Sequence, residues 1–109
     1  AFAAFERLHQ LEPESLDGWL DHADLLLQLK GPEAALRKLK ESEQVHKLNP
    51  RYRYRLVSYL LRAGREQQAL LELEEALMAD HASHVLLLEH MPEAAAMPQI
   101  IHLLDLYRK

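Results

Sequence analysis

Cysteine is absent from all 109 residues, which excludes disulfides and thiolate metal sites and leaves the redox compartment open. Threonine is absent too, and three Val and two Ile are the only other β-branched residues. That leaves little material for a sheet. Three Gly and five Pro argue against a low-complexity segment, and no glycine-rich phosphate loop is present. Long apolar runs are missing as well. Stretches such as Leu25–Leu27 and Val85–Leu88 fall far below the ~20 residues needed to cross a bilayer. No charged-then-apolar leader opens the chain. A soluble, cytoplasmic chain is the default expectation, with the compartment itself undetermined.

What is present is helix-forming: Ala, Leu, Glu, Gln, Lys and Arg dominate, and the expected fold is all-α. The length suits one compact unit with a modest core. A net charge of −4 does not favour nucleic acid as partner, yet the charge is unevenly spread. Glu12, Glu14, Asp17, Asp21 and Asp24 form an acidic block, followed by a basic block of Arg51, Arg53, Arg55, Arg62 and Arg65. The stretch from Glu66 to Glu93 is acidic again. Solvated helix faces with pairing between helices account for such blocks in the simplest way.

Apolar spacing divides the chain into helices. Phe2, Phe5 and Leu8 mark one up to Leu11, before Pro13. Ser15 can cap the next, with Asp17 in its first turn and Leu16, Trp19, Leu20, Ala23, Leu26 and Leu27 along one stripe. Gly31-Pro32 ends it and opens a helix expected to run to about Lys47, with Ala35, Leu36, Leu39, Ser42 and Val45 inward. Asn49-Pro50 is the next break. Tyr52, Leu56, Tyr59 and Leu60 outline a helix closed by Ala63-Gly64, and Glu66 to about Ala79 makes its partner. Ala82 to Met91 reads as a short helix before Pro92, and Pro98 opens a last one through about Tyr107. The short connections predict antiparallel hairpins.

Sliding the sequence by 34 residues brings Ala1, Ala35 and Ala69 into register, then Phe5, Leu39 and Leu73, then Leu8, Ser42 and Ala76. Leu103 and Tyr107 continue the first two series. A helical segment repeating at a fixed step marks a stacked array, in which each unit buries its apolar face on its neighbours.

These residues resemble the tetratricopeptide repeat (TPR), a helical hairpin of about 34 residues. Its unit has an aromatic and then a small residue in the first helix, and a small-bulky-small series in the second. Trp19, Ala23, Leu26, Ala35, Leu39 and Ser42 fit that pattern, preceded by Pro13. The second unit keeps Leu60, Ala69, Leu73 and Ala76 but has Arg53 at the aromatic place, which Tyr52 or Tyr54 can fill after a small helix rotation. The resemblance implies an α-α superhelix (solenoid) in one TPR-like domain, 1–109, forming the C-terminal part of a longer array. Residues 1–12 would be the second helix of a truncated repeat, 13–48 and 49–81 two repeats, and 82–109 an atypical capping repeat.

The resemblance further implies a protein-protein interaction scaffold, with the first helix of each unit lining a concave groove. Mapped here, the groove residues are Asp17, Leu20, Asp21, Asp24, Leu27 and Gln28, then Arg51, Tyr54, Arg55, Ser58, Leu61 and Arg62. An acidic wall beside a basic wall suits a peptide of mixed charge. Arg51 and Arg55 also match two basic places that grip a terminal carboxylate in some members, although Asp21 and Asp24 would repel one. Two alternatives stand beside this reading. One is a structural spacer or self-association segment, with homo-oligomers formed through exposed array ends. The other is a helical repeat binding single-stranded RNA through the Arg51–Arg65 stripe.

No cofactor is expected. Asp80, His81 and His84 have helical spacing, with His90 and His102 nearby, but lack the paired signatures of metal sites. His22 and His46 are expected on helix surfaces. Ser15, Ser42, Ser58 and Ser83 have no catalytic motif around them, and the adjacent Glu74 and Glu75 point apart on a helix, so no enzyme activity is expected.

Overall fold

The computed structural model describes residues 16–108, which form helices and no strand. The first expected helix, with the Ser15 cap and the 1–12 half-unit, lies outside the described residues. The chain divides into two compact units, 1–47 and 48–109, next to the Asn49-Pro50 break.

In the first unit α1 (Leu16–Lys30) packs on α2 (Pro32–Lys40), followed by the single turn α3 (Glu43–His46). Gly31 takes φ +98°, a conformation that costs other residues a Cβ clash, and its N–H bonds back to the Leu26 carbonyl at 3.0 Å. Pro32 then starts α2 where no donor is needed. Ala35 and Leu39 are fully buried against α1, and Lys38 lies 5.5 Å over the Trp19 ring.

The helix expected to reach Lys47 stops at Lys40. Ser42 ends it: its hydroxyl donates to the Leu39 carbonyl at 2.8 Å, and its own N–H takes the same oxygen at 3.1 Å. That local bonding competes with the α-helical ladder. The stripe is interrupted beyond Ser42. Val45 is 57% exposed, and His46 is buried in its stead. His22 is buried as well, so neither histidine covers a surface.

In the second unit α4 (Pro50–Arg62) packs on α5 (Glu66–Asp80) and also on α6 (Val85–His90). Asn49 caps α4, its side-chain oxygen accepting from the Arg51 N–H at 2.8 Å. At the other end the Arg65 N–H reaches the Leu60 carbonyl and the Gly64 N–H that of Leu61, with Gly64 at φ +78°. This is a Schellman closure. A 3₁₀ turn, His81–His84, leads into α6, and a second, Pro92–Ala96, leads into α7 (Pro98–Leu106), which packs on α5. The expected Ala82–Met91 helix is thus split. The Asp80 carboxylate caps its first half, accepting from the Ser83 hydroxyl at 2.6 Å and N–H at 3.3 Å.

Burial repeats at the sequence step. Gly18, Leu20, His22 and Ala23 in α1 are buried, and so are Tyr52, Tyr54, Leu56 and Val57 in α4, each 34 residues on. Ala35 and Ala69, Leu39 and Leu73, and Ser42 and Ala76 are likewise buried in pairs. In the second unit the first-helix places take larger side chains, Tyr52 for Gly18, Tyr54 for Leu20 and Val57 for Ala23, whereas Ala69 and Leu73 repeat Ala35 and Leu39. Its first helix buries both Tyr52 and Tyr54 and half-buries Arg53.

A candidate binding cleft in the second unit

Between Asn49 and Gly64, α4 carries four arginines and three tyrosines. Tyr52, Tyr54, Leu56, Val57, Ser58, Tyr59 and Leu60 are all buried, because the helix is flanked by α5 and α6. The arginines line what remains. Arg51, Arg55, Leu86, Glu89 and His90 surround an open cleft of about 310 Å³. Arg51 and Arg55 stand one turn apart, and Arg51 sits in a first turn that has no acidic residue, where the helix dipole disfavours a cation; Glu89 of α6 shares their cleft. Local rules broken in this way are characteristic of places where a protein binds something.

The floor of this region is tied to α6. Ser58 Oγ lies 2.6 Å from His90 Nδ1, Arg62 donates to the His90 carbonyl at 3.2 Å, and the His90 ring meets Tyr59 edge-on at 5.5 Å. Ser58 is fully buried, so its hydroxyl has no access to a substrate carbonyl, and the pair acts as a fastening between helices. Farther along, the Tyr54 hydroxyl donates to the Asp80 carbonyl at 2.7 Å. Burial, then the Asp80 charge, pushes the Tyr54 phenol up from 10.0 to about 12.

A second depression, of about 530 Å³, opens where α5, the first 3₁₀ turn and the end of α7 meet. Leu77, Met78, Asp80, His81, Ala82 and Tyr107 line it. Tyr107 donates to Glu74 Oε1 at 3.2 Å; partial burial first, then that hydrogen bond and charge, hold its phenol above the usual range.

Of the expected groove residues, Asp17, Asp21, Gln28, Arg51 and Arg62 are exposed, and Asp24, Leu27, Arg55 and Leu61 are half-buried. Leu20, Tyr54 and Ser58 are interior instead of groove-lining, since their side chains are enclosed by packing. Arg51 and Arg55 do share one cleft. Leu86, Glu89 and His90 were not anticipated there. The 34-residue step holds a signal for one of them: Asp21, Arg55 and Glu89 occupy the same register place with alternating charge.

Among the described residues no three His, Asp or Glu side chains gather as a metal site. His81 Nε2 bonds the Leu104 carbonyl at 2.9 Å, and His84 Nδ1 bonds the His81 carbonyl at 2.8 Å. No helix among the described residues is long and apolar enough to cross a membrane.

The described residues are all-α, with successive helices packed on one another within each unit. Compared with family models, curated proteins and solved structures, the chain matches none of them.

Proposed function

We propose that this chain is a protein-interaction module of the helical-repeat kind, and that its second unit receives a protein or peptide segment in the arginine-lined cleft. The observation that carries the reading is the cleft itself: Arg51 and Arg55 beside the apolar Leu86, with Glu89 and His90 completing the lining. Guanidinium groups hold carboxylates in two-point geometry, and an apolar neighbour accepts the stem of the same side chain or the next one. The segment that suits this lining is extended or helical, with acidic side chains near apolar ones. The burial pattern that repeats every 34 residues supports the repeat reading, because stacked hairpins commonly serve as docking surfaces.

Fluorescence anisotropy tests this with two labelled probes, a Glu- and Leu-containing peptide and a single-stranded oligouridine. The peptide is expected to bind, and Arg51→Glu with Arg55→Glu to weaken it by on the order of tenfold or more. Equal binding by the double variant overturns the reading. Preference for the oligouridine, with affinity falling steeply as salt rises, overturns it in favour of RNA binding.

A further inference from the structure

The depression at the end of α5 differs in chemistry from the arginine cleft and does not depend on it. From Glu66 to Tyr107 the chain has eight carboxylates and no Lys or Arg, and Arg108, next in the chain, pairs with Asp105 at 3.5 Å. Neither α5 nor α7 has a basic residue in its last turn, and both helices end at this depression. Their C-terminal dipole ends therefore add to the negative field. Asp80 sits at the last position of α5, a place where an acid is disfavoured by the dipole. His81 spends its Nε2–H on the Leu104 carbonyl, since a carbonyl can only accept.

The lining is otherwise apolar. Met78 is 64% exposed, Ala79 and Ala82 are exposed, and the half-buried Tyr107 presents an aromatic ring. Leu106, beside Tyr107 in the chain, is also exposed. At about 530 Å³ the space is large enough for one or two bulky side chains.

We propose that this depression docks a basic amphipathic protein segment. An apolar side chain of the segment sits on Leu77, Met78 and Ala82. A neighbouring Lys or Arg reaches the Asp80 carboxylate and the helix ends, its stem crossing the Tyr107 ring. Charge selects the occupant: an acidic segment would meet the Asp80 carboxylate and the carbonyl ends of two helices, with no Lys or Arg among the lining residues to receive it.

The test uses the full 109-residue chain and a synthetic peptide with Leu and Arg at helical spacing, read by NMR shift mapping. Shifts are expected at the Met78 methyl, Ala82 and Tyr107, with affinity falling as salt rises. Ala82→Arg is expected to weaken binding about tenfold with unchanged circular dichroism, since it fills the depression and reverses its charge. Met78→Lys, at an exposed position, serves where Ala82→Arg does not fold. Three results would overturn the proposal: shifts confined to other surfaces, equal binding of the peptide with Glu for Arg, or undiminished binding by both variants. Sedimentation adds a fourth. A dimer of the parent chain that Ala82→Arg converts to monomer would make this face a self-association surface.

Discussion

The two clefts of the second unit break the same electrostatic convention in opposite directions. Arg51 crowds the positive end of α4, whereas Asp80 occupies the negative end of α5. In each case a cap partly offsets the misfit: the Asn49 side chain takes the Arg51 N–H, and the Asp80 carboxylate takes the Ser83 N–H and hydroxyl. The arginine cleft is small and mostly polar in its lining residues, and the other is larger and mostly apolar. The second unit thus holds two depressions, one lined by Arg51 and Arg55 with Glu89 and the other by Asp80 among apolar residues, separable by what each rests on.

Removing α7 from the packing should separate them most sharply. Ile100 is fully buried in α7, and α7 packs on α5 away from the arginine cleft's lining residues. Ile100→Ala is expected to cost about 2–5 kcal/mol in urea unfolding. Amide exchange should rise first in α7 and around Tyr107. Equal loss of protection in α4 would show that the clefts are one cooperative structure.

The converse experiment acts on α4. Asn49→Ala removes the acceptor for the Arg51 N–H and is expected to cost about 1 kcal/mol, with fraying confined to the first turn and the Arg51 side of its cleft. Binding at the arginine cleft should weaken while Met78 and Tyr107 shifts stay unchanged. A matching change at Tyr107 would contradict the separation.

How far these differences were legible in the sequence depends on the range of the cause. Gly31-Pro32, Asn49-Pro50 and Gly64 act through neighbours, so the helix ends they set were readable. Ala35, Leu39, Ala69 and Leu73 were readable because a small-bulky series at helical spacing has one good use, a tight helix pair. Ser42 misled: it is buried as expected, but it also bonds the Leu39 carbonyl, and burial alone does not reveal that bond. Val45 is exposed and His46 buried where the helix is interrupted, and periodicity cannot see where a helix ends. The candidate site was half visible. Arg51 and Arg55 stood out by charge, whereas His90 enters through Ser58, 32 residues away, and Tyr54 was spent on the Asp80 carbonyl.

That last bond ties the interior of α4, the helix that carries the arginine cleft, to Asp80 of the other depression, and gives the gentlest test of their independence. Tyr54→Phe keeps the buried ring and removes only the hydroxyl at the Asp80 carbonyl, so it is expected to cost about 1 kcal/mol at neutral pH. Its signature lies at high pH. An unfolded tyrosine ionises near 10.0, whereas the folded Tyr54 holds its proton to about 12. Below 10 both states keep the proton and the contribution is whole. Between 10 and 12 the unfolded chain releases it and the folded chain does not, so stability falls as pH rises through that window. The phenylalanine variant should lose the part of this alkaline slope that belongs to Tyr54, leaving the part from Tyr107, whose phenol is also raised. Urea midpoints measured from pH 9 to 12 on both proteins decide it. Parallel curves would mean that the Tyr54 hydroxyl does not join the clefts, whereas a shallower slope in the variant, with unchanged shifts at Met78, would show that it fastens them without carrying binding from one to the other.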